Sequence, residues 1–155
     1  MLEQLVKFLE EQEGCVLTVY KDSVGIDTIG IGTLWKPNMP RKITKQEALD
    51  YCTKDCVERL KKIDKVVKVL INDNQRIAIA SLVYNVGYSA FSRSTLLKLL
   101  NQGKMKEAAL QFLKWDKERV NGVLQVSKGL HNRRVREMNK FNANTQGMLD
   151  SPSGV

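Results

Sequence analysis

Three residues near the start of the chain, Glu13, Asp22 and Thr28, have the types and spacing for acid–base chemistry. One carboxyl can donate a proton to a leaving oxygen while the other, ionised, activates a water or attacks carbon. A hydroxyl between them can hold that water. Two carboxylates on opposite sides of a cleft are what cleavage of a glycosidic bond requires. Glu13 closes the stretch "MLEQLVKFLEEQEG", Asp22 opens the turn "DSVG", and Thr28 stands on the returning arm "DTIGIGT". A hairpin folds its arms together, so the three can share one face. Gly25 can take the positive φ of the turn, and Gly30 and Gly32 let backbone approach a neighbouring segment or a ligand. Asp27, beside Thr28 on a strand, points to the opposite face. Spacing alone does not separate this reading from a plainer one, because a helix-end Glu and a turn Asp are common in any protein.

The elements that must position these residues follow from periodicity. Leu2, Leu5, Val6, Phe8 and Leu9 recur at helical spacing among Glu3, Glu10 and Glu11, which predicts an amphipathic helix of the mature protein and not a signal peptide. "VLTVYKDSVGIDTIGIGTLW" predicts a β-hairpin with a short third strand, the one β-region expected. Pro37 and Pro40 mark a loop, and Thr44 with Glu47 forms a capping box that starts a helix running through Leu60. A connecting helix is expected from about Lys61 to Leu70. Further helices are expected around Ile77 to Val83 (closed by Gly87), in "RSTLLKLLNQG" (closed by Gly103), and in "KMKEAALQFLKW" and "KGLHNRRVREMNKF". The fold class is α+β. A small N-terminal lobe, about 13–60, carries the antiparallel sheet, and a larger all-helical lobe, about 70–142, takes in the N-terminal helix. Residues 143–155 read as a flexible tail.

Bulk properties set the outer limits. A chain of 155 residues fits one domain with two lobes, burying roughly 70% of its unfolded surface. No apolar run is long enough to span a bilayer, so no stable membrane insertion is expected. Cys15, Cys52 and Cys56 are an odd count in a chain large enough to do without disulfides, which favours a reducing compartment. With a single His131 there is no zinc set, and all three thiols read as packing residues. The net charge of +8 is uneven: residues 1–60 carry 8 Lys/Arg and 10 Asp/Glu, and residues 61–155 carry 17 and 7. The basic C-terminal portion suits an anionic partner, whether nucleic acid, acidic wall polymer or membrane surface. Lys61, Lys62, Lys65 and Lys68 read as a solvated stripe, and Trp35 and Trp115 as packing aromatics. No helix-turn-helix, zinc knuckle or stacking platform is visible, so nucleic acid is not expected as a partner.

The string "EGCVLTVYKDSVGIDTIGIGT" closely resembles the signature Glu-Gly-x-x-Leu-x-x-Tyr-x-Asp-x-x-Gly-x-x-Thr-Ile-Gly-x-Gly of the phage-type (T4-like) lysozymes, the endolysins of glycoside hydrolase family 24. "QRIAIASLVYNVGYSAFSRSTLLKLLNQG" is similar to the family's helical-lobe segment, and "GLHNRR" resembles its Gly-Leu-x-x-Arg-Arg. The resemblance covers the chain to about Phe141. It implies a lysozyme-like fold and hydrolysis of the β-1,4 bond between N-acetylmuramic acid and N-acetylglucosamine in peptidoglycan, with no cofactor or metal. The general acid then falls on Glu13, the second carboxylate on Asp22 and the water-positioning threonine on Thr28. Tyr84, Asn85, Ser94, Thr95 and Arg133 become substrate-binding candidates, with Arg133 expected to reach Glu13 and orient it. An inverting course would set the carboxyl groups about 6.5–9.5 Å apart, against about 5–5.5 Å for a retaining pair. Two positions depart from the family pattern: Thr33 replaces a common His and Ile31 a common Tyr. The implied setting is a monomer held in the host bacterial cytoplasm and dependent on a holin to reach the wall. An inactive lysozyme-like scaffold that binds glycan or protein is the alternative.

Overall fold

The computed structural model of the chain describes residues 1–143, so the tail expected over 143–155 lies, past Ala143, outside the described residues. The α+β class expected from the sequence is found. The chain divides into two compact units, Met1–Arg59 and Leu60–Val155. Helix α1 (Leu2–Glu13) falls in the first of them and turns Leu5, Val6 and Leu9 inward, as its apolar spacing predicts. It stops at Gly14, whose φ of 75° ends the helical path while its N–H still reaches the Glu10 carbonyl at 2.8 Å.

Strands β1 (Val16–Lys21), β2 (Asp27–Gly30) and β3 (Thr33–Leu34) then form an antiparallel sheet in chain order. In the first hairpin Tyr20 pairs with Thr28 and Lys21 with Asp27, with a bulge between Val16 and Tyr20. The outer edge of β1 is covered: Val19 N–H donates to the Arg41 carbonyl and Ile43 N–H to the Leu17 carbonyl. Ile29, Ile43 and Ala48 form the core beneath, flanked by Cys15, Val19, Trp35, Met39 and Tyr51. Trp35 is a packing aromatic, as expected, with its indole N–H on the Pro40 carbonyl and the Arg41 guanidinium over its ring.

The Thr44 and Glu47 capping box is present, with each side chain accepting from the other residue's N–H. It opens α2 (Lys45–Val66), in which Cys52 and Cys56 are buried. A hydrogen bond with Cys52, then burial, push the Cys56 thiol pKa far up, which fits a packing role. Cys15 is free and half-buried. The expected boundary at Leu60 is too short, and the connecting helix expected to Leu70 too long. Buried Ile63 keeps the helix going, and Asn101 ends it: its amide donates to the Val66 carbonyl and its oxygen accepts from Lys68 N–H at 2.7 Å.

In the second unit α3 (Asp73–Val86) starts at a capping box of Asn72 and Gln75 and is buried continuously from Ile77 to Val83. A helix apolar all round belongs at the centre of its unit. It packs against α7 (Lys128–Asn142), while α4 (Tyr88–Ser92), α5 (Thr95–Asn101) and α6 (Met105–Gln111) complete the helices. The Phe112 and Phe141 rings meet at 5.6 Å. The lysine stripe at 61, 62, 65 and 68 is solvent-facing, as expected.

A second β-region corrects the expectation of only one. Strands β4 (Lys117–Val120) and β5 (Val123–Val126) form a two-stranded hairpin. Its turn is Asn121-Gly122, with φ of 52° and 80°, the conformation of a tight hairpin turn. The Asn-Gly pair is a strong turn signal, but Lys117, Glu118 and Arg119 mask the strand pattern around it.

Candidate active site

Helix α1 delivers Glu13 at its last turn, and the positive φ of Gly14 swings the chain directly into β1. The Glu13 carboxyl then lies on the backbone of Gly32, in the turn between β2 and β3. A Cβ at Gly32 would stand 2.7 Å from Glu13 Oε1 and 3.0 Å from its Cδ, so only glycine leaves the carboxyl where it is. Gly32 also has φ of 68°.

Asp22 is locked into the hairpin turn through one oxygen. Its Oδ1 accepts from Val24 N–H at 3.0 Å and from Ile26 N–H at 2.8 Å, while the Asp22 backbone bonds Gly25 and Ile26. This is the local capture that makes Asp a turn residue. Thr28 is buried on β2 and donates its hydroxyl to the Ile26 carbonyl at 2.8 Å. A hydroxyl has one proton and two lone pairs, so with the proton spent it can still accept.

Tyr20 ties the three together. It is the cross-strand partner of Thr28 and stands two positions before Asp22, which opens the turn just past the end of β1. Burial first, then the charges of Glu13 and Asp22, push its phenol above the ordinary value of 10.0. One ring thus sits in the field of both carboxylates. Asp27 points the other way and pairs with Lys21 at 2.7 Å, as strand alternation predicts.

Thr33, next to Gly32, is buried with a hydroxyl that finds no hydrogen-bond partner among the described residues. Ile31 is fully buried. The two departures from the family signature are therefore both core positions.

The other sequence candidates belong to the second unit. Ser94 caps α5, accepting from Leu97 N–H and donating to the Phe91 carbonyl, and Thr95 follows it on the surface. Tyr84 and Asn85 lie near the end of α3. Arg133 is buried on α7, with its guanidinium on Glu137 Oε2 at 3.2 Å and on the Ser81 carbonyl at 3.2 Å. Glu137 is the hub of a charged cluster that the sequence reading missed. It also takes the Ser81 hydroxyl at 2.5 Å and a guanidinium nitrogen of Arg134. Arg134 in turn reaches the Asn85 side chain and, at 2.8 Å, the Trp115 carbonyl. Ser81, Arg134 and Glu137 are all fully buried. The signal was present in the sequence as Glu137 three and four positions after the arginine pair, on one helix face. Among the described residues no group of His, Cys, Asp and Glu is arranged to hold a metal ion.

The Phage lysozyme family model matches residues 10–137, which includes every candidate site residue. The chain belongs to the phage lysozyme family. It is 35% identical to the endolysin of Acyrthosiphon pisum secondary endosymbiont phage 1, over 90% of this chain and 95% of that one. A protein of Pseudomonas phage phiKMV named a SAR-endolysin is 35% identical over 81% of this chain and 78% of its own. Among solved structures, an endolysin from Escherichia coli O157:H7 phage FAHEc1 superposes with a TM-score of 0.84 at 32% identity, covering 92% of each chain.

Proposed function

We propose that this chain, a peptidoglycan-hydrolysing endolysin of the phage lysozyme family, is an N-acetylmuramidase of glycoside hydrolase family 24 that uses Glu13 as general acid, Asp22 as the second carboxylate and Thr28 to position water. The observation that carries the reading is the seat of the Glu13 carboxyl against the backbone of Gly32, where a Cβ would stand 2.7 Å from Glu13 Oε1. In this scheme Glu13 protonates the oxygen leaving the sugar. A water donates a hydrogen bond to Thr28 Oγ1 through the O–H it keeps, gives its other proton to Asp22, and bonds through its oxygen to the anomeric carbon from the face opposite the departing oxygen. The Thr28 proton is committed to the Ile26 carbonyl, so its oxygen meets the water as an acceptor and orients it. That is a single displacement with inversion, and it needs no metal. Tyr84, Asn85, Ser94, Thr95 and Arg133 serve as glycan contacts in the same reading.

The enzyme acts on the bacterial cell wall as a monomer. Release from the host cytoplasm through a holin lesion is part of the proposal and is checked by lysis with and without a co-expressed pore former.

The direct test is release of reducing ends from purified peptidoglycan by the native chain and by Glu13→Gln, both shown folded by circular dichroism. Turnover that collapses in the variant supports the assignment. A folded native chain that releases nothing would return the scaffold alternative.

A further inference from the structure

The β4–β5 hairpin has a composition that neither the core nor the proposed chemistry uses. Val123, Leu124 and Val126 are 62%, 55% and 62% exposed, and Val120 is exposed as well. Four apolar side chains thus stand in solvent on one small two-stranded element, both outer edges of which are unpaired among the described residues. The register sorts them. Val120 pairs with Val123 on one face beside the turn and Leu124 with Arg119 on the other, so three of the four stand at the tip, and Lys117 pairs with Val126 at the base.

Charge is asymmetric around this tip. Lys114, Lys117, Arg119 and Lys128 are all exposed, whereas the two carboxylates of the segment, Asp116 and Glu118, are both half-buried. Asp116 is further neutralised by Lys117 at 3.1 Å, which holds its carboxyl below the usual range. The base is rigid. Ser127 N–H bonds the Asp116 carbonyl at 2.8 Å, and Arg134 grips the carbonyl of Trp115. An apolar tip backed by a cationic collar on a rigid mount matches the physics of a surface that dips into an anionic bilayer interface. The net charge of residues 61–155, 17 Lys/Arg against 7 Asp/Glu, adds long-range attraction of the same sign. No described helix is long and apolar enough to cross a membrane, so this contact would be peripheral.

We propose that the β4–β5 hairpin is a peripheral membrane contact that seats Val120, Val123 and Leu124 in the headgroup layer of an anionic bilayer, with Lys117 and Arg119 on the lipid phosphates. This goes beyond the hydrolase reading and does not depend on it.

The test is co-sedimentation of the full chain with vesicles of phosphatidylglycerol and phosphatidylcholine, against vesicles of phosphatidylcholine alone, with hydrolysis of lipid-free sacculi measured in parallel. The native chain is expected to bind the anionic vesicles and to release as salt rises. The double variant Val123→Asp/Leu124→Asp is expected to lose about tenfold or more of that binding, since each apolar insertion is replaced by a charge. Lys117→Gln/Arg119→Gln should lose several-fold more weakly held binding per cation removed. Both variants should melt like the native chain and digest sacculi at its rate. Absence of anionic-vesicle binding, or full binding by the tip variant, overturns the proposal. So does a folded tip variant that fails on lipid-free sacculi, which would make the hairpin a substrate contact, or a native dimer that the tip variant dissociates, which would make it a self-association surface. Failure of the native chain on sacculi counts against the hydrolase reading alone.

Discussion

The two hairpins of this chain are built from similar parts and differ in what surrounds them. The first lies between α1 and the loop at 41–43, with one edge covered by backbone hydrogen bonds, a third strand on the other side, and a core of Ile29, Ile43 and Ala48 beneath. The second has two strands, two open edges and apolar side chains in water. A two-stranded hairpin alone is marginal in water, and this one is held at its base by Arg134 and Asp116. The difference shows what holding a carboxylate in one place requires. Carboxylates can be placed for chemistry only where their backbone is over-determined, whereas a contact surface needs only a fixed root.

The largest expected effect separates the candidate site beside the first hairpin from the second hairpin. Glu13→Gln should lower turnover of purified peptidoglycan by about 10²–10⁴, while Val123→Ser, on the second hairpin, leaves it unchanged. Equal losses in reducing-end release would erase the distinction.

Next comes the root of the second hairpin. Glu137→Ala leaves the buried guanidinium groups of Arg133 and Arg134 without their shared carboxylate, which should cost about 3–5 kcal/mol of unfolding free energy in urea. Amide exchange at Lys117 to Val126 should rise with it, because Arg134 then loses its fixed position against Trp115. A variant as stable as the native chain would remove the network from its structural role.

A matched pair of glycines sharpens the contrast. Gly32 and Gly122 both have positive φ, but a Cβ at Gly122 meets nothing within 4 Å, whereas at Gly32 it meets Glu13. Each change to Ala should cost about 1–3 kcal/mol of backbone strain in thermal melts. Only Gly32→Ala should also lower kcat, by about a hundredfold for a displacement of an ångström. Identical kinetics in the two variants would show that the Glu13 contact carries no catalytic weight.

Smaller still is Thr33→Val. It swaps a buried, unpaired hydroxyl for a methyl and should raise stability by about 1 kcal/mol.

The smallest effect lies in the alkaline range. The folded pKa of Tyr20 is raised above 10.0 by burial and then by Glu13 and Asp22. The ionised phenol is therefore disfavoured in the folded state, and stability is lost as pH climbs past the unfolded value. Tyr20→Phe should flatten that loss, and ultraviolet titration of Glu13→Gln should show the phenol ionising at lower pH than in the native chain.

The sequence was most legible where local rules are strict. The end of α1 at Gly14, the Asp22 turn, the Thr44 capping box and the stop at Gly87 are each written in a few adjacent residues. What escaped depended on residues far apart. Asn101 ends α2 from α5, and no local pattern near Val66 announces it. The Glu137 cluster joins α3, α7 and the Trp115 carbonyl, so its residues read singly as ordinary surface charges on a basic helix. The second hairpin was hidden because its strands carry charged and apolar residues on both faces, with no buried side to impose alternation. At the site, the motif offered Glu13, Asp22 and Thr28 as candidates, while the seat of Glu13 on Gly32 and the pairing of Tyr20 with Thr28 needed coordinates.

The unequal burial of the three thiols gives the chain a built-in attachment point. Cys52 and Cys56 are enclosed in α2, and Cys15 alone is partly open, two residues from Glu13 and in the electrostatic reach of Tyr20. A thiol-directed fluorophore applied to the unaltered protein would therefore settle at one position, two residues from Glu13, and report ligand arrival there without any engineered cysteine.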